Sequence, residues 1–131
     1  MNIGELSKRT ALSSKMIRYY EQIGLIQAAQ RSAAGYRLYQ EHDVDSLKFI
    51  QHAKSLGFNL NQIKDLLSLR QNSQRQSLAV KQLALQHIED LHRQMQSIQQ
   101  MIQILEDAVA QCPGDESSSC SILQKIESGG T

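Results

Sequence analysis

The sequence contains no tryptophan, and only two phenylalanines and four tyrosines among 131 residues. A core here must rest on Leu, Ile, Val and Ala. One proline and seven glycines exclude a loop-rich or collagen-like chain. No apolar run approaches the length needed to cross a membrane, and no signal segment opens the chain, so the expected location is the cytoplasm. Cysteine is almost absent too. The only two, Cys112 and Cys120, lie on one short stretch, CPGDESSSC. In a reducing compartment such a pair points to free thiols, metal ligands or a redox centre rather than a structural disulfide. No nucleophile–base pair and no paired carboxylates stand out, which leaves an enzyme as the reading with least support.

Charge of one sign is lacking overall, with a net of +1, but the two ends differ. Residues 1–40 carry Lys8, Arg9, Lys15, Arg18, Arg31 and Arg37 against Glu5 and Glu21. The remainder is mildly acidic. A basic N-terminal end on such a chain is the asymmetry of a local polyanion-binding module.

The N-terminal pattern reads as two short helices. Asn2 with Glu5 three residues on has the spacing of a capping box, predicting a helix over about 3–9 with Ile3, Leu6 and Ala11 able to face inward. Ser13 is a good N-cap for a second helix, striped by Met16, Ile17 and Tyr20 and stopped near Gly24. Joined by a tight turn, they form a helix-turn-helix. Residues 31–40, RSAAGYRLYQ, change to an alternating period around Gly35, which predicts a small hairpin, or wing. Val44, Leu47, Ile50 and Ala53 then mark a third helix ending at Gly57, and Asn59 with Gln62 caps a fourth, to about residue 70.

After the polar joint 71–77, Ile88, Leu91, Met95, Ile98, Ile102, Leu105 and Val109 are spaced by threes and fours, with Ala84 one step before them. This is a heptad seam. The helix it predicts, about 76–111, would be roughly 54 Å long. Its apolar stripe is too narrow to be buried by folding back within a small domain. It calls for a partner helix, and a second copy of the chain is the simplest one. Cys112-Pro113-Gly114 must end it. Ser118, Ser119 and Ser121 offer caps for a short last helix, SILQKIES, before a frayed GGT tail.

The stretch MNIGELSKRTALSSKMIRYYEQIGLI, followed by RSAAGYRLY, resembles the N-terminal signature of the MerR family of bacterial transcription regulators. The likeness continues through the long helix, and the C-P-G-D-x-S-x-x-C loop is similar to that of the copper-efflux branch, which senses monovalent coinage metals. The fold class implied is mainly α: a winged helix-turn-helix DNA-binding domain over 1–70, a long antiparallel coiled-coil dimerisation helix over 76–111, and a metal-binding loop with a short helix over 112–131. The resemblance also implies a homodimer on double-stranded promoter DNA, bound with or without effector, which distorts the DNA for RNA polymerase when effector binds. Bending a site of this length costs several kcal/mol by elastic estimates.

On that resemblance, Lys15, Arg18 and Tyr19 lie on the helix that enters the major groove, and Arg31, Tyr36 and Arg37 lie in the wing. Arg and Lys neutralise phosphates and steepen the salt dependence of binding. Tyr19, Tyr20 and Tyr36 could equally be packing aromatics. Cys112 and Cys120 would hold the metal. Two thiolates with no third cysteine suit a soft ion that accepts low coordination; Cu(I) meets that description, and Ag(I) or Au(I) share it. Tetrahedral Zn(II) wants four ligands. His42, His52, His87 and His92 read as solvated or seam residues. Cys120 at the start of the last helix, and a nest of amides over 114–119, would favour the residual negative charge of a bis-thiolate. Ser77, at the start of the long helix, is either its N-cap or, as the resemblance implies, a residue overhanging the metal of the partner subunit, where sensors of divalent ions carry cysteine.

Two other readings stay open. One is a redox regulator on the same fold that closes a Cys112–Cys120 disulfide. The other is a coiled-coil adaptor that binds no DNA, against which the basic wing speaks.

Overall fold

The computed structural model describes residues 1–74, 76–115 and 118–129. Six helices and one two-stranded sheet are present among them, in the order α1 (Ile3–Thr10), α2 (Ser14–Gln22), β1 (Gln30–Arg31), β2 (Arg37–Leu38), α3 (Glu41–Ser55), α4 (Leu60–Gln71), α5 (Ser77–Gln111) and α6 (Ser121–Glu127). The chain divides into two compact units, residues 1–84 and 85–131, and α5 contributes to both. None of the described helices is long and apolar enough to cross a membrane.

In the first unit, local signals start and stop the helices where the sequence places them. The Asn2 side chain accepts from the Glu5 amide, and that of Ser13 from the Met16 amide. Asn59 and Gln62 exchange a full capping box; such a cap contributes about 1 kcal/mol. Gly24 and Gly57 take positive φ just past α2 and α3, where an L side chain would be strained. One stop was not foreseen. Ala11, expected to face inward, is exposed and closes α1 at φ 58, the only positive φ outside glycine among the described residues.

The core of this unit is aliphatic, as the scarcity of aromatics requires. Leu6, Ile17, Val44, Leu47, Ile50 and Ile63 are sealed from solvent together with Tyr20 and Tyr39. Tyr20 is thus a core residue, and its hydroxyl accepts from Lys54 Nζ at 3.1 Å. The wing is antiparallel with Gln30 opposite Leu38 and Arg31 opposite Arg37. Its turn is closed by the Ser32 amide on the Tyr36 carbonyl at 2.8 Å, and Gly35 sits at φ 86.

In the second unit the apolar row of α5 is not covered. Leu85, Ile88, Leu91, Met95, Ile98, Ile102, Leu105 and Val109 are each 39–57 % exposed. His87 departs from its expected solvated or seam position: it is buried. At the far end Ala108 is buried and accepts a hydrogen bond from the Ser121 hydroxyl. The cap of α6 is Cys120, not any of the three serines proposed for it; Ser121 is already helical and spends its hydroxyl on Ala108. The amide nest expected over 114–119 includes Glu116 and Ser117, and the tail includes Gly130 and Thr131, all outside the described residues.

Candidate nucleic-acid interface and metal centre

On α2 the apolar residues Ile17 and Tyr20 turn inward and fix the helix to the core. Lys15, Arg18 and Tyr19, spaced by three and four, therefore share the exposed face. Tyr19 is 42 % exposed and Tyr36, at the wing turn, 72 %. Arg31 is exposed but tied across the wing, its Nη1 donating to the Gly35 carbonyl at 2.9 Å. Arg37 is different: its side chain is only one-third exposed, and Nε faces Glu21 Oε2 at 3.4 Å, an ion pair rather than an aligned hydrogen bond.

Glu21 is the residue that sequence reasoning missed. It counted only as one of two acids in a basic segment. In the fold its Oε1 accepts from the Tyr39 hydroxyl at 3.0 Å and, more weakly, from the Ala29 amide at 3.4 Å. Burial, then the bond to Glu21, pushes the Tyr39 phenol up to about 12. The available signal was a lone carboxylate beside cations, with a tyrosine two positions beyond Arg37.

The two cysteines come together at the end of α5 and the start of α6. Both are free thiols and half-buried. The backbone amides of Leu123 and Ile122 and the side chain of Cys112 lie near the Cys120 sulfur, which caps α6 without an aligned side-chain hydrogen bond. Leu123 most, then Ile122 and Cys112, hold its thiol below the ordinary value, against an opposing effect of partial burial. The physical cause is the one expected of a helix start, where unpaired amides favour an anion. Among the described residues no cluster of three or more His, Cys, Asp or Glu side chains has metal-binding geometry. The donor set is two sulfurs, soft and adjacent, and it fits a thiophilic ion. His42 faces Asp43 at 3.4 Å, and His52 and His92 are exposed on their helices. Ser77 is exposed and is the first residue inside α5, which places the N-cap one position earlier.

Known proteins match over these same elements. Residues 1–69 fit the model of the MerR HTH family regulatory proteins, and residues 44–108 fit that of the MerR DNA-binding region. Heavy metal-dependent transcription regulator 2 of Rhizobium meliloti (strain 1021) is 47 % identical over 98 % of this chain and 88 % of its own. The HTH-type transcriptional regulator CueR of Vibrio cholerae is 37 % identical over 97 % of this chain and 91 % of its own. Among solved structures, the transcription regulator PbrR691 from Ralstonia metallidurans CH34, in complex with lead(II), superposes with a TM-score of 0.83 at 30 % identity, covering 96 % of this chain and 98 % of that one.

Proposed function

The chain belongs to the MerR family of helix-turn-helix transcription regulators, and from that premise we propose that it is a metal-responsive activator of the copper-efflux type, a homodimer on promoter DNA triggered by Cu(I), or by Ag(I) or Au(I), at Cys112 and Cys120. It is a regulator and not an enzyme. The observation that carries the metal reading is the junction of α5 and α6, where two adjacent thiols meet and two amides converge on one of them.

A monovalent ion between two thiolates leaves one net negative charge, and a divalent ion leaves none. Leu123 and Ile122 favour that residual charge, and two soft thiolates suit an ion that accepts low coordination. Ser77 of the partner subunit overhangs the site and supplies no thiolate. The exposed row on α5 supports the homodimer. Each Leu or Ile in it is already about half covered, so burying the rest contributes roughly 1 kcal/mol, and a second copy in antiparallel register covers the whole row.

Lys15, Arg18 and Tyr19 enter the major groove, with Arg31, Tyr36 and Arg37 on the flanking backbone. Metal binding shifts the dimer between two packed states that hold the DNA differently. RNA polymerase then uses the distorted promoter, in the cytoplasm. Arg18→Ala should lower the slope of log affinity against log salt by about 0.9 per lost phosphate contact, while metal binding by the free protein stays unchanged.

The deciding experiment is equilibrium titration under anaerobic, reducing conditions with Cu(I), Ag(I), Au(I), Zn(II) and Pb(II), read by promoter transcription. Activation by the monovalent ions, lost in Cys112→Ser and in Cys120→Ser with operator binding retained, supports the reading. Activation by Pb(II) or Zn(II) alone favours a second one, a divalent heavy-metal regulator, for which the lead(II) complex of PbrR691 speaks. Activation only on oxidation favours the disulfide switch.

A further inference from the structure

A carboxylate among DNA-facing cations is costly. It repels phosphate, and by charge alone its removal would strengthen binding. Glu21 nevertheless lies one helical turn beyond Arg18 on α2, only 14 % exposed. Its two oxygens serve different partners. Oε1 takes the Tyr39 hydroxyl and the Ala29 amide, and Oε2 faces Arg37 Nε. Ala29 precedes β1, Arg37 lies in β2, and Tyr39 follows it with its ring in the core. One side chain of α2 thus reaches both sides of the wing.

We propose that Glu21 is a positioning residue for operator recognition: its carboxylate fixes the wing to α2, so that the two elements meet DNA at a set spacing, and it holds Arg37 by its Nε edge with the terminal nitrogens left to reach phosphate. The inference rests on the DNA-binding reading of α2 and the wing. The spacing between groove and backbone contacts decides which duplexes can satisfy both at once. Glu21 therefore acts on specificity, at the expense of bulk electrostatic attraction.

Charge and position predict opposite signs for Glu21→Gln. The amide keeps the size of the side chain. It has one acceptor oxygen where two are used, and it turns a donor toward either Tyr39 or Arg37. The full-length protein is assayed against the duplex it selects from a randomised pool, and against a scrambled duplex of the same length and composition. Affinity for the selected duplex should fall roughly tenfold, the scale of one lost charge-assisted contact. Affinity for the scrambled duplex should hold or rise. In an Arg37→Ala background the same substitution should cost clearly less, because the Arg37 contact is already gone and only the ties to Tyr39 and Ala29 are left to lose.

Tyr39→Phe keeps the ring in the core and removes one tie only. It should shift the selected-to-scrambled ratio in the same direction by a smaller factor, and it decides the matter if Glu21→Gln does not fold. An unchanged ratio in the folded variants, or an undiminished loss without Arg37, overturns the proposal. A wild-type protein that selects no duplex overturns the DNA-binding reading itself.

Discussion

The hydroxyl of Ser121 donates to the backbone carbonyl of Ala108, thirteen residues earlier. That carbonyl is left over by the way α5 ends. The Cys112 amide turns to the Val109 carbonyl at 3.1 Å, so the acceptor one residue before it needs another donor. Ser121 follows Cys120, and Ala108 lies one helical turn before Cys112. A single hydrogen bond therefore joins the backbone segments that carry the two thiols.

Ser121→Ala should weaken metal binding without removing a ligand. It forfeits one hydrogen bond and leaves a buried carbonyl unpaired, a cost of about 1–2 kcal/mol. Part of that cost appears as a several-fold weaker affinity in competition titration with a thiol chelator. Ser121→Thr, which keeps the hydroxyl, should restore most of it. Equal affinities in all three proteins would show that the bond does not organise the site.

The uncovered row on α5 can be tested directly. Leu91→Glu with Ile98→Glu places like charges in an apolar seam, which should abolish the dimer in sedimentation and operator binding with it. Helix content should persist in the N-terminal unit, whose core includes neither residue. A dimeric double variant would place the interface elsewhere.

Ser77→Cys should add a third thiolate near the metal of the partner subunit. Response to Zn(II), Pb(II) or Hg(II) should then appear or grow, while the monovalent response holds or falls. Because Ser77 is the first residue inside α5 and not its cap, Ser77→Ala should cost less than the roughly 1 kcal/mol of a lost N-cap and gain no divalent response. A cysteine variant that binds divalent ions no better than the parent would leave selectivity to the 112–120 loop.

Alkaline pH should loosen the wing through Tyr39. Its phenol is raised from 10.0 to about 12 in the fold, by burial first and then by the bond to Glu21. A raised value means that the neutral form stabilises the folded state. That contribution is complete below pH 10 and is lost as pH climbs through about 12. Ultraviolet titration should find one tyrosine ionising near 12. Tyr39→Phe should remove that transition and flatten the fall in thermal stability over the same window. A wild-type titration finished well below that range would disprove it.

The helices were legible because their signals are local. The Asn59–Gln62 capping box, the spacing of Val44, Leu47, Ile50 and Ala53, and the stops at Gly24 and Gly57 each depend on residues within about one helical turn. The seam on α5 and the pairing of two cysteines on one loop belong to the same class. A period of three and four or a short separation carries the information, so the sequence by itself determined a winged helix-turn-helix followed by one long amphipathic helix and a thiol loop. The exposed face of Lys15, Arg18 and Tyr19 follows from that register too.

Tertiary structure decided what those elements do to one another. Glu21 meets Tyr39 from eighteen residues away and Ser121 meets Ala108 from thirteen. Neither contact has a period or a spacing to reveal it. Each exists because a buried or helix-end polar group must find a partner once water is removed, and the nearest donor or acceptor is set by how the chain closes. The closing of the chain also set a carboxylate beside Arg37, put Cys120 rather than a serine at the head of α6, and left Ala11 to end α1 in a conformation that its side chain does not favour.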